Sequence, residues 1–152
     1  MRAVRITIAD PAEPSVRVLI EELDQYMIPL YPVESNHLLD IETLRQPEMR
    51  FFAASVDDEV VGCGGCRLHD GYAEIKRVYV SPKARGLGLA KKLMQRIEDE
   101  TLAAGRMIAR LETGIHQPEA LGLYRAIGYV DRGPFGDYAD DPNSVFMEKA
   151  LA

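Results

Sequence analysis

Val78-Tyr79-Val80-Ser81-Pro82-Lys83-Ala84-Arg85-Gly86-Leu87-Gly88-Leu89-Ala90 runs from an extended segment into a long helical pattern. Glu74 to Ser81 reads as strand. From Gly86 to about Ala104 the pattern is an amphipathic helix, with Ala90, Leu93, Met94 and Ile97 at i, i+3, i+4 and i+7. A strand, a short glycine turn and a helix start together make a site for phosphate. The first-turn N–H groups of a helix lack internal partners, and the helix dipole adds partial positive charge there. Glycines at 86 and 88 let that backbone approach an anion closely, because no Cβ intervenes. A diphosphate fits such a turn. The spacing is not G-x-G-x-x-G, since Lys91 holds the third glycine's place, and no G-x-x-x-x-G-K-[ST] run exists.

Upstream, Val4 to Ile8 alternates as a first strand. Val16, Leu19, Ile20 and Leu23 then recur at helical spacing, with Asp10 or Ser15 as the cap. Pro29 and Pro32 break that pattern, and a short helix is expected over Leu38 to Leu44. Arg50 to Val56, Val60 to Leu68 and Tyr72 to Val80 read as an antiparallel meander. Its turns are Asp57-Asp58-Glu59 and His69-Asp70-Gly71. Downstream, Gly105 suits a helix C-cap and Met107 to Glu112 a strand. Pro118 to Ala126 reads as a helix with proline in its first turn. Gly128 to Arg132 and Val145 to Lys149 close the chain as paired strands.

With 152 residues, one domain spanning residues 1–152 is expected. A net charge of -6 argues against nucleic-acid binding through a basic surface and is compatible with a cationic substrate. No apolar run reaches the ~20 residues that span a bilayer, and the first residues do not read as a signal peptide, so no membrane partner is expected and the cytoplasm is the default location. Cys63-Gly64-Gly65-Cys66 has redox-dithiol spacing, but residues three apart in a strand face opposite sides. His37, His69 and His116 show no ligand spacing and read as loop residues, and no metal is expected.

The segment Arg85-Gly86-Leu87-Gly88-Leu89-Ala90, behind Val78-Tyr79-Val80-Ser81-Pro82, resembles the acetyl-CoA motif [Arg/Gln]-x-x-Gly-x-[Gly/Ala] of the GNAT-type N-acetyltransferases. Arg85, Gly88 and Ala90 fill its three fixed positions. The order β-α-α-β-β-β-α-β-α-β-β and the later run Glu119 to Tyr124, followed by Ile127-Gly128-Tyr129, extend the resemblance over the whole chain. It implies an α/β (α+β) fold: a mostly antiparallel mixed sheet of about seven strands, splayed between the fourth and fifth, with about four flanking helices. It is similar in particular to small bacterial members that end in a segment like Pro134-Phe135 to Met147.

The resemblance implies acetyl transfer from acetyl-CoA, as co-substrate, to a primary amine of a small molecule or protein, by direct attack in a ternary complex. The chain's backbone at Val78, Tyr79, Val80, Arg85, Gly86, Leu87, Gly88, Leu89 and Ala90 would hold the cofactor, with Gln117 where the family usually has Asn. Tyr124 matches the family tyrosine that donates a proton to the thiolate. Glu74 is the candidate base, in a strand resembling that of histone-type members. Lys76 and Arg77 are adjacent charges: either they face opposite sides or a bulge re-aims both. Acceptor pockets of the family are completed by the loops corresponding to Met27–His37 and to the acidic-aromatic stretch with Phe135, Asp137, Tyr138, Asp140 and Asp141. The resemblance also allows a homodimer. Two rivals stand beside this reading: a non-catalytic CoA-binding sensor or partner module, and a thiol redox protein using Cys63 and Cys66.

Overall fold

The computed structural model describes residues 3–32 and 40–152. Seven strands form one sheet in the order β1-β2-β3-β4-β5-β7-β6. The strands are β1 (Val4–Ile8), β2 (Met49–Val56), β3 (Glu59–His69), β4 (Tyr72–Val80), β5 (Ile108–Gly114), β6 (Val130–Arg132) and β7 (Ser144–Ala150). The helices are α1 (Pro14–Met27), α2 (Ile41–Leu44), α3 (Leu89–Ala103) and α4 (Pro118–Ala126). All pairings are antiparallel except β4 with β5. This is the mixed, mostly antiparallel sheet with four helices that the resemblance implied. Among the described residues no helix is long and apolar enough to cross a membrane.

The two faces of the sheet carry different helices. Phe52, Ala54, Cys66, Ala73, Ile75, Ala109 and Leu111 pack under Leu93, Met94 and Ile97 of α3 and Tyr124 of α4. Phe51, Ala53 and Cys63 pack under Val16, Leu19 and Ile20 of α1 and Leu44 of α2. A sheet covered on both faces explains why β2 and β3 read as nearly continuous apolar runs. Asp57 and Asp58 both take positive φ, so a two-residue loop joins β2 to β3.

Several local expectations shift. Neither Asp10 nor Ser15 caps α1: Glu13 is the cap residue, Pro14 opens the helix, and the Asp10 carboxylate instead accepts the Ala12 N–H at 2.9 Å. Helix α3 begins at Leu89 rather than Gly86, because Gly86 (φ +86°) and Gly88 (φ +72°) sit in the left-handed region, outside any right-handed helix. At its other end Ala104 is the cap residue and Gly105 (φ +83°) follows it, carrying the chain out of the helix. His69 ends β3 instead of lying in a loop. The expected start of α2 at Leu38, and His37, lie outside the described residues.

Cys63 and Cys66 are both buried, on opposite faces of β3. Burial pushes the Cys63 thiol up to about 12 and the Cys66 thiol up to about 11. Raised values mean that the thiolate, the reactive form, is scarce at neutral pH. The folded protein at pH 8 should therefore resist iodoacetamide, with full labelling only in denaturant; rapid native labelling would contradict this burial. Leu93 is fully buried beneath α3. Leu93→Ala should cost about 2–5 kcal/mol in urea unfolding, the range for a methyl-lined cavity that closes only in part. A cost under about 1 kcal/mol would place α3 away from the sheet.

Candidate active site

The site is made by a parting of strands. β4 and β5 pair at only three positions, Ala73↔Ala109, Glu74↔Arg110 and Ile75↔Leu111. Beyond Ile75, β4 keeps β3 as its partner through Tyr79 and Val80, while β5 continues beside β7. A wedge opens between Lys76–Val80 and Glu112–Gly114. Its cause is a bulge: Arg77 and Val78 together oppose the single Gly64, and Arg77 takes φ +60°. The extra residue turns Lys76 and Arg77 toward the same side of the sheet, the second of the two arrangements the adjacent charges allowed. Gly64 tolerates the crowding because a Cβ there would already lie 3.0 Å from Val78 Cγ2.

The Arg77 guanidinium is buried and ion-paired with Asp24 of α1. Lys76 lies beside Glu74, Nζ to Oε2 at 2.8 Å. The Tyr138 hydroxyl completes this group, accepting from Lys76 at 2.6 Å and donating to Glu74 Oε2 at 2.6 Å. Glu74 Oε1 stands 3.7 Å from His69 Nε2. The candidate base is therefore buried behind Lys76 and held by two donors. The acidic-aromatic stretch supplies Tyr138 to this group, and Phe135 packs edge-on against both Tyr138 and Phe146.

The wedge encloses a small cavity of about 80 Å³, walled by Lys76, Arg77 and Val78 on one side and Leu111, Glu112 and Thr113 on the other. Leu23 and Met27 of α1, Gln117 just before α4 and Tyr124 of α4 complete its wall. Glu74 is not in this wall; the carboxylate that faces the cavity is Glu112, whose Oε2 accepts from Ser144 at 2.8 Å. The sequence reading missed Glu112. Its only signal was a carboxylate between Leu111 and Thr113 in a strand that lies inside the sheet.

Tyr124 is buried, with its ring 6.0 Å from that of Tyr129. Burial, reinforced by the Glu112 charge, pushes its phenol up to about 12. The sign is that of a group that keeps its proton: below that value Tyr124 is a donor. Gln117 Oε1 accepts from the Gly114 N–H at 3.0 Å and from the Tyr31 hydroxyl at 3.3 Å, which ties the β5–α4 turn together. Among the described residues, the backbone of Val78, Tyr79 and Val80 has no strand partner on its β5 side. The Tyr79 side chain turns the other way, its hydroxyl donating to Glu22 at 3.2 Å.

At the end of β4, a 3-10 turn (Pro82–Ala84) leads to Arg85, Gly86, Leu87 and Gly88. Among the described residues no side chain caps α3, and its first turn holds no acidic residue. Among the described residues, a Cβ on Gly86 or Gly88 would meet nothing within 4 Å, which leaves open space in front of the loop. Leu89 is buried and anchors the turn from below, beside Ala84. Arg85 is exposed, with its nearest carboxylate, Glu119, at 3.9 Å. Exposed Lys91 and Lys92 follow in the first turn. An uncapped helix start, flanked by cations and opened by two left-handed glycines, has the donor set for a diphosphate. Among the described residues no group of His, Cys, Asp and Glu is placed to hold a metal ion.

Comparisons with known proteins agree with this geometry. The model of the GNAT acetyltransferase family matches residues 16–129. A protein of Azospirillum brasilense named an IAA acetyltransferase is 50% identical over 153 residues, covering 99% of this chain and 100% of its own. A crystal structure from Klebsiella pneumoniae, of a protein assigned as an acyl-CoA N-acyltransferase, superposes with a TM-score of 0.83 at 36% identity, over 98% of both chains. The PaiA N-acetyltransferase of Thermoplasma acidophilum, solved with coenzyme A, shares the fold with a TM-score of 0.74 at 17% identity, over 97% of this chain and 99% of that one. A splayed sheet with a glycine turn at the end of β4, a buried tyrosine in the wedge and these relatives lead to one assignment: the chain belongs to the GNAT acetyltransferase family and is an acyl-CoA-dependent acetyltransferase.

Proposed function

We propose that the protein moves the acetyl group of acetyl-CoA to a primary amine by direct attack in a ternary complex. The observation that carries this reading is the wedge between β4 and β5, with the glycine turn at its end and Tyr124 and Glu112 in its wall. Backbone N–H groups of Gly86 to Ala90 bind the diphosphate, while the Arg85 N–H is held by the Pro82 carbonyl at 3.4 Å. The unpaired edge of Val78 to Val80 binds the arm and polarises the thioester carbonyl, as an oxyanion hole does. Gln117 contributes its amide nitrogen to the arm.

The amine nitrogen attacks the thioester carbon. The C–N bond forms, the C–S bond breaks, and the products are an amide and CoA. An ammonium, with a pKa near ~10.4, must first lose a proton. Two carboxylates serve that step. Glu112 faces the cavity; Glu74 is outside its wall, held by Lys76 and Tyr138. Glu112 accepts the proton, directly or through water, and Glu74 is the second route. Tyr124 donates its proton to the departing thiolate. The acceptor is a small-molecule or protein amine, and a screen monitored by CoA release should cover both classes.

Calorimetric titration of acetyl-CoA tests the core of this reading. Saturable one-to-one binding is expected; no binding at millimolar ligand would remove it. Tyr124→Phe should lower turnover by about 10²-fold while leaving CoA affinity within about twofold, the pattern for loss of a proton donor. A sensor module would show no turnover to lose. Glu112→Gln should cost more turnover than Glu74→Gln, and the reverse order would move the base to Glu74.

A further inference from the structure

Tyr31 lies 93 positions before Tyr124 in sequence yet sits against the turn that leads to it. It follows the 3-10 turn Ile28–Leu30 that ends α1 and is only 6% exposed. Its hydroxyl accepts the His116 N–H at 3.0 Å and donates to Gln117 Oε1 at 3.3 Å. Its ring centroid is 5.5 Å from that of His116. Gly114 makes the approach feasible, since a Cβ there would stand 1.7 Å from the Tyr31 hydroxyl oxygen. His116 and Gln117, both in the β5–α4 turn, thus converge on one phenol, and Gly114 leaves the room for it.

The consequence falls on Gln117. The Gly114 N–H and the Tyr31 O–H are both donors, so the amide atom facing them must be the oxygen. The amide nitrogen is then turned away from the turn, on a residue that walls the cavity. Burial holds the Tyr31 phenol above its ordinary value, so the hydroxyl keeps its donating proton. We propose that Tyr31 is a positioning residue: it locks the rotamer and amide orientation of Gln117, so that Nε2 is presented to the arm of CoA, and it ties the end of α1 to the turn that launches Tyr124. The inference rests on the acetyl-CoA reading above.

Calorimetry on the full chain tests it with two ligands: CoA, and 3′-phospho-ADP, which ends at the diphosphate and cannot reach Gln117. Tyr31→Phe keeps the ring and removes only the hydroxyl. It should weaken CoA about five- to tenfold, the worth of one oriented hydrogen bond, and leave 3′-phospho-ADP within about twofold. Gln117→Ala should show the same split, and the double variant should bind CoA no more weakly than Gln117→Ala alone, because Tyr31 acts through Gln117. Unchanged CoA affinity in Tyr31→Phe, equal weakening of both ligands, or multiplying losses in the double variant would each overturn the proposal. Wild-type protein that binds neither ligand would overturn the acetyl-CoA reading itself, and this inference with it.

Discussion

One left-handed residue governs this molecule. Arg77 at φ +60° places an extra residue in β4, and β4 thereafter follows β3 and leaves β5. A non-glycine residue in that region costs roughly 1–2 kcal/mol, so something must offset it. The structure supplies two compensations. Gly64 opposite the bulge has no side chain to collide with Val78, and Asp24 of α1 pairs with the buried Arg77 guanidinium. That ion pair also fixes α1 across the mouth of the wedge, where Leu23 and Met27 complete the cavity wall. Removing Asp24 would strand the buried Arg77 guanidinium, which is far costlier than the pair is stabilising.

The wedge separates two kinds of surface. On the glycine-turn side, among the described residues, there is open space before Gly86 and Gly88 and a helix start that no side chain caps. On the chemical side, nearly every polar group is already held. Glu74, Lys76 and Tyr138 satisfy one another, Gln117 is fixed by its own turn, and the Tyr124 phenol is kept protonated by burial and by Glu112. Groups held before substrate arrives need little reorganisation during reaction, which is the main source of electrostatic catalysis.

The rest of the fold holds those groups still. Glu98 of α3, itself buried, accepts from Tyr129 just before β6 at 2.9 Å and from the half-buried Lys149 of β7 at 2.9 Å, which ties α3 to the end of the chain. Arg110 and Arg132 converge on Glu148 and lie over the Tyr72 and Phe135 rings, which backs the stretch that carries Tyr138. The side of the sheet away from the glycine turn thus sets the position of the hydroxyl that closes the Glu74 site.

Much of this was legible in the chain itself. The bounds of β1, β4 and α4 agree with the periodicity and the proline signal, because those signals act within a few residues. The glycine turn was legible for the same reason, and so were the opposed faces of Cys63 and Cys66. The start of α3 was misplaced by three residues, since periodicity does not report the sign of φ at Gly86 and Gly88. Tertiary structure alone decided which carboxylate faces the cavity. Glu74 and Glu112 lie on neighbouring strands, and the bulge and the three-pair contact of β4 with β5 put Glu112 in the wall and Glu74 behind Lys76. Tyr138 meets Glu74 across 64 positions, and Tyr31 meets His116 across 85. Local pattern determines an element because its interactions are short in sequence; the site is made of contacts that exist only once distant elements have packed.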